Sequence, residues 1–470
     1  MDDSAPVSDD LIARFVTIVG ESNALIAPPP EAPFLHELRG VFHGTTPLLL
    51  RPGSADEVAA ILRLATKTGT PIVPQGGNTG LVGGQIPDRS GGQVLLSLER
   101  LTRIRLVDAA DDSMIVEAGV TLADARRAAA DVDRLFPLAI GSMETCQIGG
   151  NISSNAGGVA VLAHGNARNL VLGLEVVLAN GERIDGLRTL RKDNSGYDLK
   201  QLFIGAEGTL GVITAAALKL SPAPRGKATA FVGLADPAAA VALFHAARAR
   251  VGQELTSFEL IPRICIDFCL RHLDGAVEPL GEPHPWYALA EISSGRSAEA
   301  ARSDLGAILA EGGVAGRIAA SPAEADQFWR MRLSLSDVQR PEGVSIKHDV
   351  SVPIGAIPGF IAEADAAVTA LAPGARPVPF GHVGDGNIHF NISQPVGGDG
   401  EAFRARADEI NAVVFELVAR HNGSIAAEHG VGQMKRDLLP TVRSPVEMDV
   451  MRRIKATLDP AGILNPGKVL

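Results

Sequence analysis

The sequence is poor in cysteine and in positive charge. Its 470 residues include only three cysteines, Cys146, Cys265 and Cys269, without a CxxC pair. This excludes a disulfide framework and is typical of a reducing compartment, where Cys265 and Cys269 are most simply buried core thiols. The 43 basic residues are outnumbered by 54 acidic ones, for a net charge of -11. That balance argues against nucleic acid as a partner.

Long hydrophobic runs are also missing. No apolar run reaches the ~20 residues that a membrane-spanning helix needs. The first residues, MDDSAPVSDD, are acidic, unlike a signal or transit peptide. We therefore expect a cytoplasmic protein without a transmembrane segment. The length is enough for roughly two to four domains, each with a core of its own.

What the chain does contain is two glycine-rich runs. Residues 71–87 read PIVPQGGNTGLVGGQIP, and a second run from Gly141 contains IGGNISSNAGG. Glycines let the backbone approach a ligand closely, and short polar side chains add hydrogen bonds. A dinucleotide fingerprint needs a helix directly after the first run, and Pro87 ends any such helix. Turn-rich surface loops are the ordinary alternative, but two such runs favour loops that cradle a pyrophosphate and a large flat ligand.

These runs resemble the FAD-binding segments of the vanillyl-alcohol oxidase type flavoproteins. PQGGNTGLVGG is similar to the pyrophosphate loop, IGGNISSNAGG and GAEGTLGVIT to the flavin-facing segments, and DPAGILNPGKVL to the C-terminal signature. Some relatives attach FAD through a histidine where this chain has Asn78, so the resemblance implies non-covalent FAD. It implies these cofactor-binding residues: Pro74, Gly76, Gly77, Asn78, Thr79, Gly80, Gly141, Ser142, Gly149, Gly150, Asn151, Ser153, Asn155, Gly157, Gly158, Glu207, Gly208, Ile213 and Asn465.

The apolar patterns and the resemblance together predict an α+β fold in four parts. Residues 1–47 are a helical lead-in, and 48–224 a two-subdomain FAD-binding domain of the vanillyl-alcohol oxidase type. Residues 225–421 are an α+β substrate-binding domain, and 422–470 a small helical cap that returns to the flavin. Strand–helix–strand repeats from about residue 228 predict an antiparallel sheet with helices on one face. Asn180-Gly181 predicts a two-residue hairpin turn.

A second predicted hairpin carries the most informative histidines. In VPFGHVGDGNIHFNI, residues 378–392, a two-residue turn at Asp385-Gly386 puts His382 directly opposite His389 and on one face with Asn391. Imidazoles about 5 Å apart in this way can bind one metal ion. They can equally be hydrogen-bonded structural histidines.

The candidate third ligand is Glu428 in SIAAEHGVG, where a charged residue at the end of a predicted apolar strand should otherwise avoid burial. This set resembles the family's divalent-metal site with a catalytic histidine. The resemblance implies His382, His389 and Glu428 as metal ligands and His429 as the base. Two imidazoles and a carboxylate suit zinc first and manganese as the alternative.

A clamp for a second carboxylate is predicted within residues 328–353. Arg332 and Ser336 are four residues apart on a predicted helix and so share a face, and Lys347 follows on a strand-like run. Each alone is most simply a solvated surface residue. Together, and with Asn391 as a further substrate residue, they resemble the D-2-hydroxyglutarate dehydrogenase branch. That branch commonly has Thr and Tyr where this chain has Ser336 and His348.

The resemblance implies FAD-dependent oxidation of a D-2-hydroxy acid to the 2-oxo acid, with D-2-hydroxyglutarate as the first expectation and D-malate or D-lactate as alternatives. The hydroxyl proton would go to His429, assisted by the metal, and the α-hydrogen would go as hydride to flavin N5. A separate electron acceptor, a quinone or an electron-transfer flavoprotein, is the expected partner, and a homodimer is allowed. A zinc hydrolase or an electron-relay subunit is the alternative outside this class.

Overall fold

The computed structural model describes residues 7–470. Its α-helices are, in chain order, α1 Asp9–Val19, α2 Ala55–Thr68, α3 Leu122–Ala130, α4 Ile148–Ser153, α5 Val161–His164, α6 Ala167–Leu170, α7 Lys200–Phe203, α8 Pro237–Val251, α9 Arg263–His272, α10 Ala298–Gly312, α11 Pro322–Leu333, α12 Leu335–Val338, α13 Ile357–Leu371, α14 Gly400–Arg404, α15 Ala407–Arg420, α16 Leu439–Val442 and α17 Pro445–Leu458.

The strands follow the same order. They are β1 Ala24–Ile26, β2 Leu48–Leu50, β3 Ile72–Gln75, β4 Val94–Ser97, β5 Ile104–Asp108, β6 Ser113–Glu117, β7 Arg134–Leu135, β8 Val171–Val177, β9 Arg183–Asp185, β10 Val212–Lys219, β11 Ser221–Pro222, β12 Gly226–Leu234, β13 Leu255–Pro262, β14 Trp286–Ser294, β15 Gly316–Ile318, β16 Ser345–Ile346, β17 Val350–Ser351, β18 Arg376–His382 and β19 Asn387–Ser393.

The chain divides into two compact units. Unit 1 contains the described residues through Gly157, then Asn166–Ala223 and Glu428–Leu470. Unit 2 contains Gly158–Gly165 and Pro224–Ala427. The division after Ala223 lies within two residues of the domain boundary predicted at 224/225. The C-terminal residues from Glu428 and the N-terminal helix both belong to unit 1. Residues 158–165 belong to unit 2, although the sequence predicts them within the FAD-binding domain.

Unit 1 is built on two main sheets, as expected for a two-subdomain FAD-binding domain, and β7 pairs separately with β11. One has the order β1-β2-β4-β3, with parallel pairs β2–β4 and β3–β4. The other is antiparallel in the order β5-β6-β10-β8-β9. Each sheet has its own apolar cluster, the first around Phe15, Leu62 and Ile72 and the second around Met114 and Ile213.

Helix α2 shows why the predicted elements form where they do. The Ser54 side chain accepts a hydrogen bond from the Glu57 amide and caps the first turn. Val58, Ile61, Leu62 and Ala65 recur every three or four residues and are fully buried. Gly69 then ends the helix in the left-handed conformation that glycine adopts without strain. Helix α2 therefore has its start, its buried face and its end in its own local sequence.

The hairpin between β8 and β9 is confirmed, but its predicted two-residue turn is wrong. The Leu178 amide donates to the Glu182 carbonyl, and the Gly181 amide donates back to the Leu178 carbonyl. The central residues are thus Ala179 and Asn180, and Gly181 follows at φ 78°. This is the three-residue loop in which a left-handed glycine forms a bulge.

Unit 2 is organised around one large antiparallel sheet, as predicted. Its strand order is β15-β12-β14-β13-β18-β19-β16, and β17 also pairs with β19. The helices do not lie on one face, which corrects the sequence expectation. Phe258 packs against Phe244 of α8, whereas Phe231 packs against Phe328 of α11. The strand registers put Phe231 and Phe258 on opposite faces.

Helix α13 is the most apolar helix of unit 2, and with the preceding turn it is long and apolar enough, by length and composition, to cross a membrane. Its buried residues nevertheless recur every three or four positions from Ile357 to Val368, the pattern of a helix packed on one side. Phe360 packs against Phe390 of β19.

Asp365 lies on the same helix, and its Oδ1 is buried without a hydrogen-bond partner. Burial raises the pKa of Asp365 to about 6.

This carboxyl predicts a pH-dependent stability. The folded chain keeps the Asp365 proton to higher pH than the unfolded chain does, so its contribution to the free energy of unfolding falls as pH rises from about 4 through 6. We expect Asp365→Asn to raise the melting temperature at pH 8 and to have a much smaller effect at pH 4.5. Differential scanning calorimetry checks this, with Asp326→Asn, at an exposed position of α11, as the control. An equal gain at both pH values would contradict it.

Candidate functional site

In unit 1 the two glycine-rich runs meet at the end of strand β3. A Cβ on Gly77 would collide with the Thr145 carbonyl, and one on Gly76 would lie 3.2 Å from Gln147 Oε1. Gly141 and Gly150, by contrast, have open space where a Cβ would be. The loop over 76–87 thus lies against the segment that opens α4, and only glycine permits that approach.

The backbone of these segments is strained in a way that points to a ligand. Asn78, Asn155, Glu207 and Asn465 all have φ between 44° and 53°. Each belongs to a different segment that resembles the FAD-binding motifs. Left-handed conformations of non-glycine residues are costly and cluster at ligand sites.

Two polar side chains in the same segments each have an acceptor oxygen without a hydrogen bond. Gln147 Oε1 and Asn465 Oδ1 are buried without a hydrogen bond. Buried acceptors of this kind call for a donor from a bound molecule or water. Together with the glycine cradle, they fit a large polar cofactor such as FAD.

Several predicted cofactor residues direct their side chains into the protein. Asn78 donates to the carbonyls of Pro33 and His36, Asn155 accepts from the Arg168 amide, and Asn151 is buried beside Cys146. Ile213 lies in the apolar cluster of the antiparallel sheet. These side chains shape the loops, so their contribution to a bound cofactor would come from the backbone. Of the other predicted cofactor residues, Pro74 lies in β3, Gly149, Gly150 and Ser153 lie in α4, and Gly158 belongs to unit 2.

Glu207 has a role that its motif does not reveal. Its carboxylate accepts hydrogen bonds from the amides of Val431 at 2.7 Å and Gly432 at 2.8 Å. Burial raises the pKa of Glu207, although these two amides oppose the shift. The carboxylate also lies against Gly430, where any Cβ would be 2.7 Å from Oε1. Glu207 therefore holds the turn that directly follows Glu428 and His429.

Further contacts tie this turn to the flavin loops. Gln433 donates to the carbonyls of Gly83 and Ile86, and Asn465 donates to those of Gly84 and Glu207. Glu428 and His429 follow Ala427 in irregular chain, not at the end of the predicted strand. A carboxylate oxygen of Glu428 and a ring nitrogen of His429 lie within 4.8 Å of one another.

In unit 2 the histidine hairpin has a different register from the predicted one. His382 pairs with Asn387, and Phe380 pairs with His389, because the loop spans 383–386 rather than two residues. The register moves by two positions, an even number, so His382 and His389 remain on one face. Their ring centroids are 5.6 Å apart, and a ring nitrogen of each lies within 4.8 Å of the other. Ile388, Phe390 and Ile392 form the buried opposite face.

Two carboxylates that the sequence analysis missed face the Nδ1 atoms of these histidines. Glu259 Oε1 lies 2.8 Å from His382 Nδ1, and Asp349 Oδ1 lies 3.7 Å from His389 Nδ1. Metal-binding histidines commonly direct one ring nitrogen to a carboxylate and bind with the other. This donor set therefore fits a divalent metal. A signal existed for Glu259, which is the only charged residue in the apolar strand β13.

Arg332 and Ser336 do not share an environment, contrary to the helical spacing. Helix α11 ends at Leu333 and α12 begins at Leu335. Arg332 is 6% exposed and pairs with Glu259 through Nη2 at 2.6 Å and Nε at 2.8 Å. Ser336 is exposed. Arg332 is thus not a solvated surface charge, and the predicted pairing with Ser336 is wrong.

The pairing of β16 and β17 with β19 shows on which face of the sheet Lys347, His348 and Asp349 lie. Ser345 pairs with Ser393 and Val350 with Ile388, which puts Lys347 at the position opposite Asn391 and Asp349 opposite His389. His348 falls on the other face, where it packs against Phe390 and Phe415. The departure from the family pattern at His348 is therefore a change in the core.

The Asn391 side chain donates to Gln339 Oε1 at 2.9 Å, and Gln339 in turn donates to Ser393. Gln339 is fully buried and is a further partner that the sequence analysis missed. The residues on this side of the sheet form one set, the polar face of unit 2: Glu259, Arg332, Lys347, Asp349, His382, His389 and Asn391.

Comparison with known proteins identifies the class. Residues 223–469 match the family model for the C-terminal domain of FAD linked oxidases, and residues 46–186 match the model for an FAD binding domain. The fold resembles p-cresol methylhydroxylase at a TM-score of 0.76 and 18% identity, covering 98% of this chain and 96% of that one. The fold also resembles alkyldihydroxyacetonephosphate synthase at a TM-score of 0.75 and 16% identity, covering 99% of this chain and 86% of that one.

Among curated proteins, a D-2-hydroxyglutarate dehydrogenase from Xanthomonas citri pv. viticola is 38% identical over 89% of this chain and 88% of its own length. The mitochondrial D-2-hydroxyglutarate dehydrogenase of Rattus norvegicus is 36% identical over 91% of this chain and 78% of its own length. A D-2-hydroxyglutarate–pyruvate transhydrogenase from Saccharomyces cerevisiae is 35% identical over 98% of this chain and 94% of its own length.

The chain therefore belongs to the FAD-linked oxidases, the class of flavoproteins that includes vanillyl-alcohol oxidase and p-cresol methylhydroxylase. Within that class it is an oxidoreductase of the D-2-hydroxyacid dehydrogenase family. The expected fold and enzyme class are confirmed, and FAD is supported as the cofactor. The zinc hydrolase is set aside by the same matches.

The Glu207 contacts predict how the turn at 430–432 behaves. Glu207→Ala removes both acceptors, and hydrogen bonds to a charged group contribute about 1.5–3 kcal/mol each. We expect the Val431 and Gly432 amides to exchange hydrogen about 10-fold faster or more, while Glu207→Gln keeps one acceptor and gives a smaller change. Hydrogen–deuterium exchange read by mass spectrometry measures this, with Glu182→Ala in the exposed β8–β9 loop as the control. Unchanged exchange in Glu207→Ala would refute the role.

Proposed function

We propose that the protein oxidises D-2-hydroxyglutarate to the 2-oxo acid, with FAD as the hydride acceptor. The observation that carries the proposal is the polar face of unit 2, which combines a buried arginine, a lysine position and a histidine pair on one side of a sheet. A 2-hydroxy dicarboxylate offers a hydroxyl and two anionic ends to such a face. The relatives that are named D-2-hydroxyglutarate dehydrogenases support the same substrate.

For the distal carboxylate we propose Arg332 and Lys347, with Asn391 as a further contact. Arginine presents a planar fork of N–H donors that suits a carboxylate, and lysine adds a mobile point charge. Ser336 is exposed, so its predicted role in binding the substrate has less support than the roles of Arg332, Lys347 and Asn391. D-malate is shorter by one methylene and remains the nearest alternative. D-lactate has no distal carboxylate for Arg332 to bind.

For the metal we propose His382, His389 and Glu428 as ligands, with zinc before manganese. The carboxylates beside both Nδ1 atoms support this assignment. When Nδ1 of a neutral ring carries the proton that faces the carboxylate, the lone pair of that histidine is on Nε2, where a metal can bind. A bound zinc ion supplies Lewis acidity that lowers the pKa of a hydroxyl group.

For proton removal we propose His429, because imidazole is the side chain that most often acts as a base near neutral pH. When bound, FAD supplies an acceptor for the hydride from the α-carbon. The chain's own residues orient the acid: Arg332 and Lys347 hold its far end, and His429 takes the hydroxyl proton. We further propose a separate electron acceptor for the reduced protein, a quinone or an electron-transfer flavoprotein.

Anaerobic bleaching of the flavin absorbance tests the substrate. The purified protein is mixed in parallel with D-2-hydroxyglutarate, D-malate and D-lactate, and the L-enantiomers serve as controls. We expect the dicarboxylates to bleach the flavin and D-2-hydroxyglutarate to do so fastest. Bleaching by D-lactate alone would keep the enzyme class and overturn the proposed substrate.

The proposed base has a separate test. His429→Gln keeps a polar side chain of similar size but cannot take up a proton at neutral pH. We expect the rate of flavin reduction to fall about 10²-fold or more, with the FAD content unchanged. Stopped-flow absorbance under anaerobic conditions measures that rate, and His421→Gln on unit 2 is the matched control. Reduction at the wild-type rate would remove His429 from the mechanism.

A further inference from the structure

The polar face of unit 2 is centred on a residue that neither the motifs nor the comparisons single out. Glu259 lies in the middle of strand β13 and is 1% exposed. Its Oε2 accepts from Arg332 Nε at 2.8 Å and pairs with Nη2 at 2.6 Å, while its Oε1 lies 2.8 Å from His382 Nδ1. One buried carboxylate therefore contacts both a proposed substrate ligand and a proposed metal ligand.

The fold brings these three residues together from distant parts of the chain. Strand β13 pairs with β18 in a register that puts Glu259 directly opposite His382. Arg332 reaches the same point from the last turn of α11, with its guanidinium 5.1 Å from the centre of the Phe380 ring. Phe380 is two residues before His382 and so lies on the same face.

Toward His382, the carboxylate sets the tautomer. The Arg332 guanidinium, which stays charged in proteins, lies at 2.6–2.8 Å from Oε2 and favours the ionised form of Glu259. An ionised carboxylate only accepts hydrogen bonds, so Nδ1 of His382 is the donor. The lone pair of the neutral ring is then on Nε2, the atom left to bind a metal.

Toward Arg332, the same carboxylate sets the direction of the guanidinium. Nε donates to Oε2, and Nη2 lies beside the same oxygen without a hydrogen bond, so the N–H donors on the other side of the guanidinium point away from Glu259 in a fixed plane. Glu259 also neutralises part of the buried positive charge. Arg332 can remain buried without an external anion for this reason, and a bound dicarboxylate would share the guanidinium with Glu259.

We infer that Glu259 is a positioning residue that couples metal binding at His382 to binding of the distal carboxylate at Arg332. With a metal ion held at Nε2, the hydrogen bond from His382 Nδ1 to Oε1 would be stronger, so Glu259 would compete less for the Arg332 guanidinium that it shares with the substrate. Linkage requires the reverse effect to be equal, so a dicarboxylate tightens metal binding. This inference rests on the proposed function.

The test measures zinc affinity rather than turnover. Flavin-loaded, metal-stripped protein is titrated with zinc against a fluorescent chelator, alone and with glutarate or butanoate. Both acids carry one carboxylate that can reach a metal, but only glutarate has a second for Arg332. In the wild type we expect glutarate to lower the zinc dissociation constant about 5-fold or more relative to butanoate.

In Glu259→Gln we expect the zinc dissociation constant to rise about 10–100-fold and the difference between glutarate and butanoate to disappear. Glu291→Gln is the matched control, because Glu291 is another buried glutamate on the neighbouring strand β14, bonded to Lys227, Thr229 and Trp329. If Glu259→Gln does not fold, Glu259→Asp keeps the charge at a shorter reach and should give an intermediate loss.

The outcomes separate this inference from the proposed function. Zinc binding that Glu259→Gln and Glu291→Gln change equally would overturn the role of Glu259 and leave the metal assignment intact. A wild type in which glutarate and butanoate act alike would also overturn the coupling. A wild type that binds no zinc would overturn the metal assignment and the inference together, while the bleaching experiment would still decide the substrate.

Discussion

The polar face of unit 2 depends on the burial of a single carboxylate. Glu259 is almost completely removed from water, and an isolated charge in that position would cost several kcal/mol. The fold compensates it with a guanidinium and an imidazole at hydrogen-bond distances. Because all three groups need one another, none can move far without leaving a charge buried alone. The position of the proposed metal ligand and that of the proposed clamp are consequences of this one constraint.

A similar arrangement recurs in unit 1 with a different chemistry. Glu207 has a left-handed backbone and directs its carboxylate at two backbone amides of the turn at 430–432. There the partners are neutral, and burial raises the pKa of the carboxyl. In both units a glutamate from a strand or loop holds a distant segment in place. The residues expected to do the chemistry are thus supported by acidic residues that a motif search would not select.

Much of the fold could be predicted from the sequence. Helix α2 has a serine cap, an apolar face of period three to four and a terminal glycine, and each of these acts within a few residues. The glycine runs predict loops around a large ligand, because close approach of the backbone without a Cβ is a local requirement, and their resemblance to known motifs implies FAD. The face on which His382 and His389 lie was also correct, since an even shift of register does not exchange the faces of a strand.

The errors in the sequence analysis share one cause. Three features differ from the predictions: the register of β18 on β19, the break between Arg332 and Ser336, and the distribution of helices over both faces of the sheet. All three depend on turn length and on packing against distant elements. Local spacing carries no information about either. His348 illustrates this, because a residue that resembles part of the substrate motif proves to lie on the core face.

The sequence by itself determined the class of protein and its cofactor through the resemblance that its motifs carry. Residue types and short spacings added the residues that could bind an acid or a metal. Only the tertiary structure decided which of them meet. Glu259 and Arg332 are 73 residues apart in the chain, and Glu259 and His382 are 123 apart. Their contact exists because an antiparallel register and the end of a helix place them on one face, and burial then makes the contact obligatory.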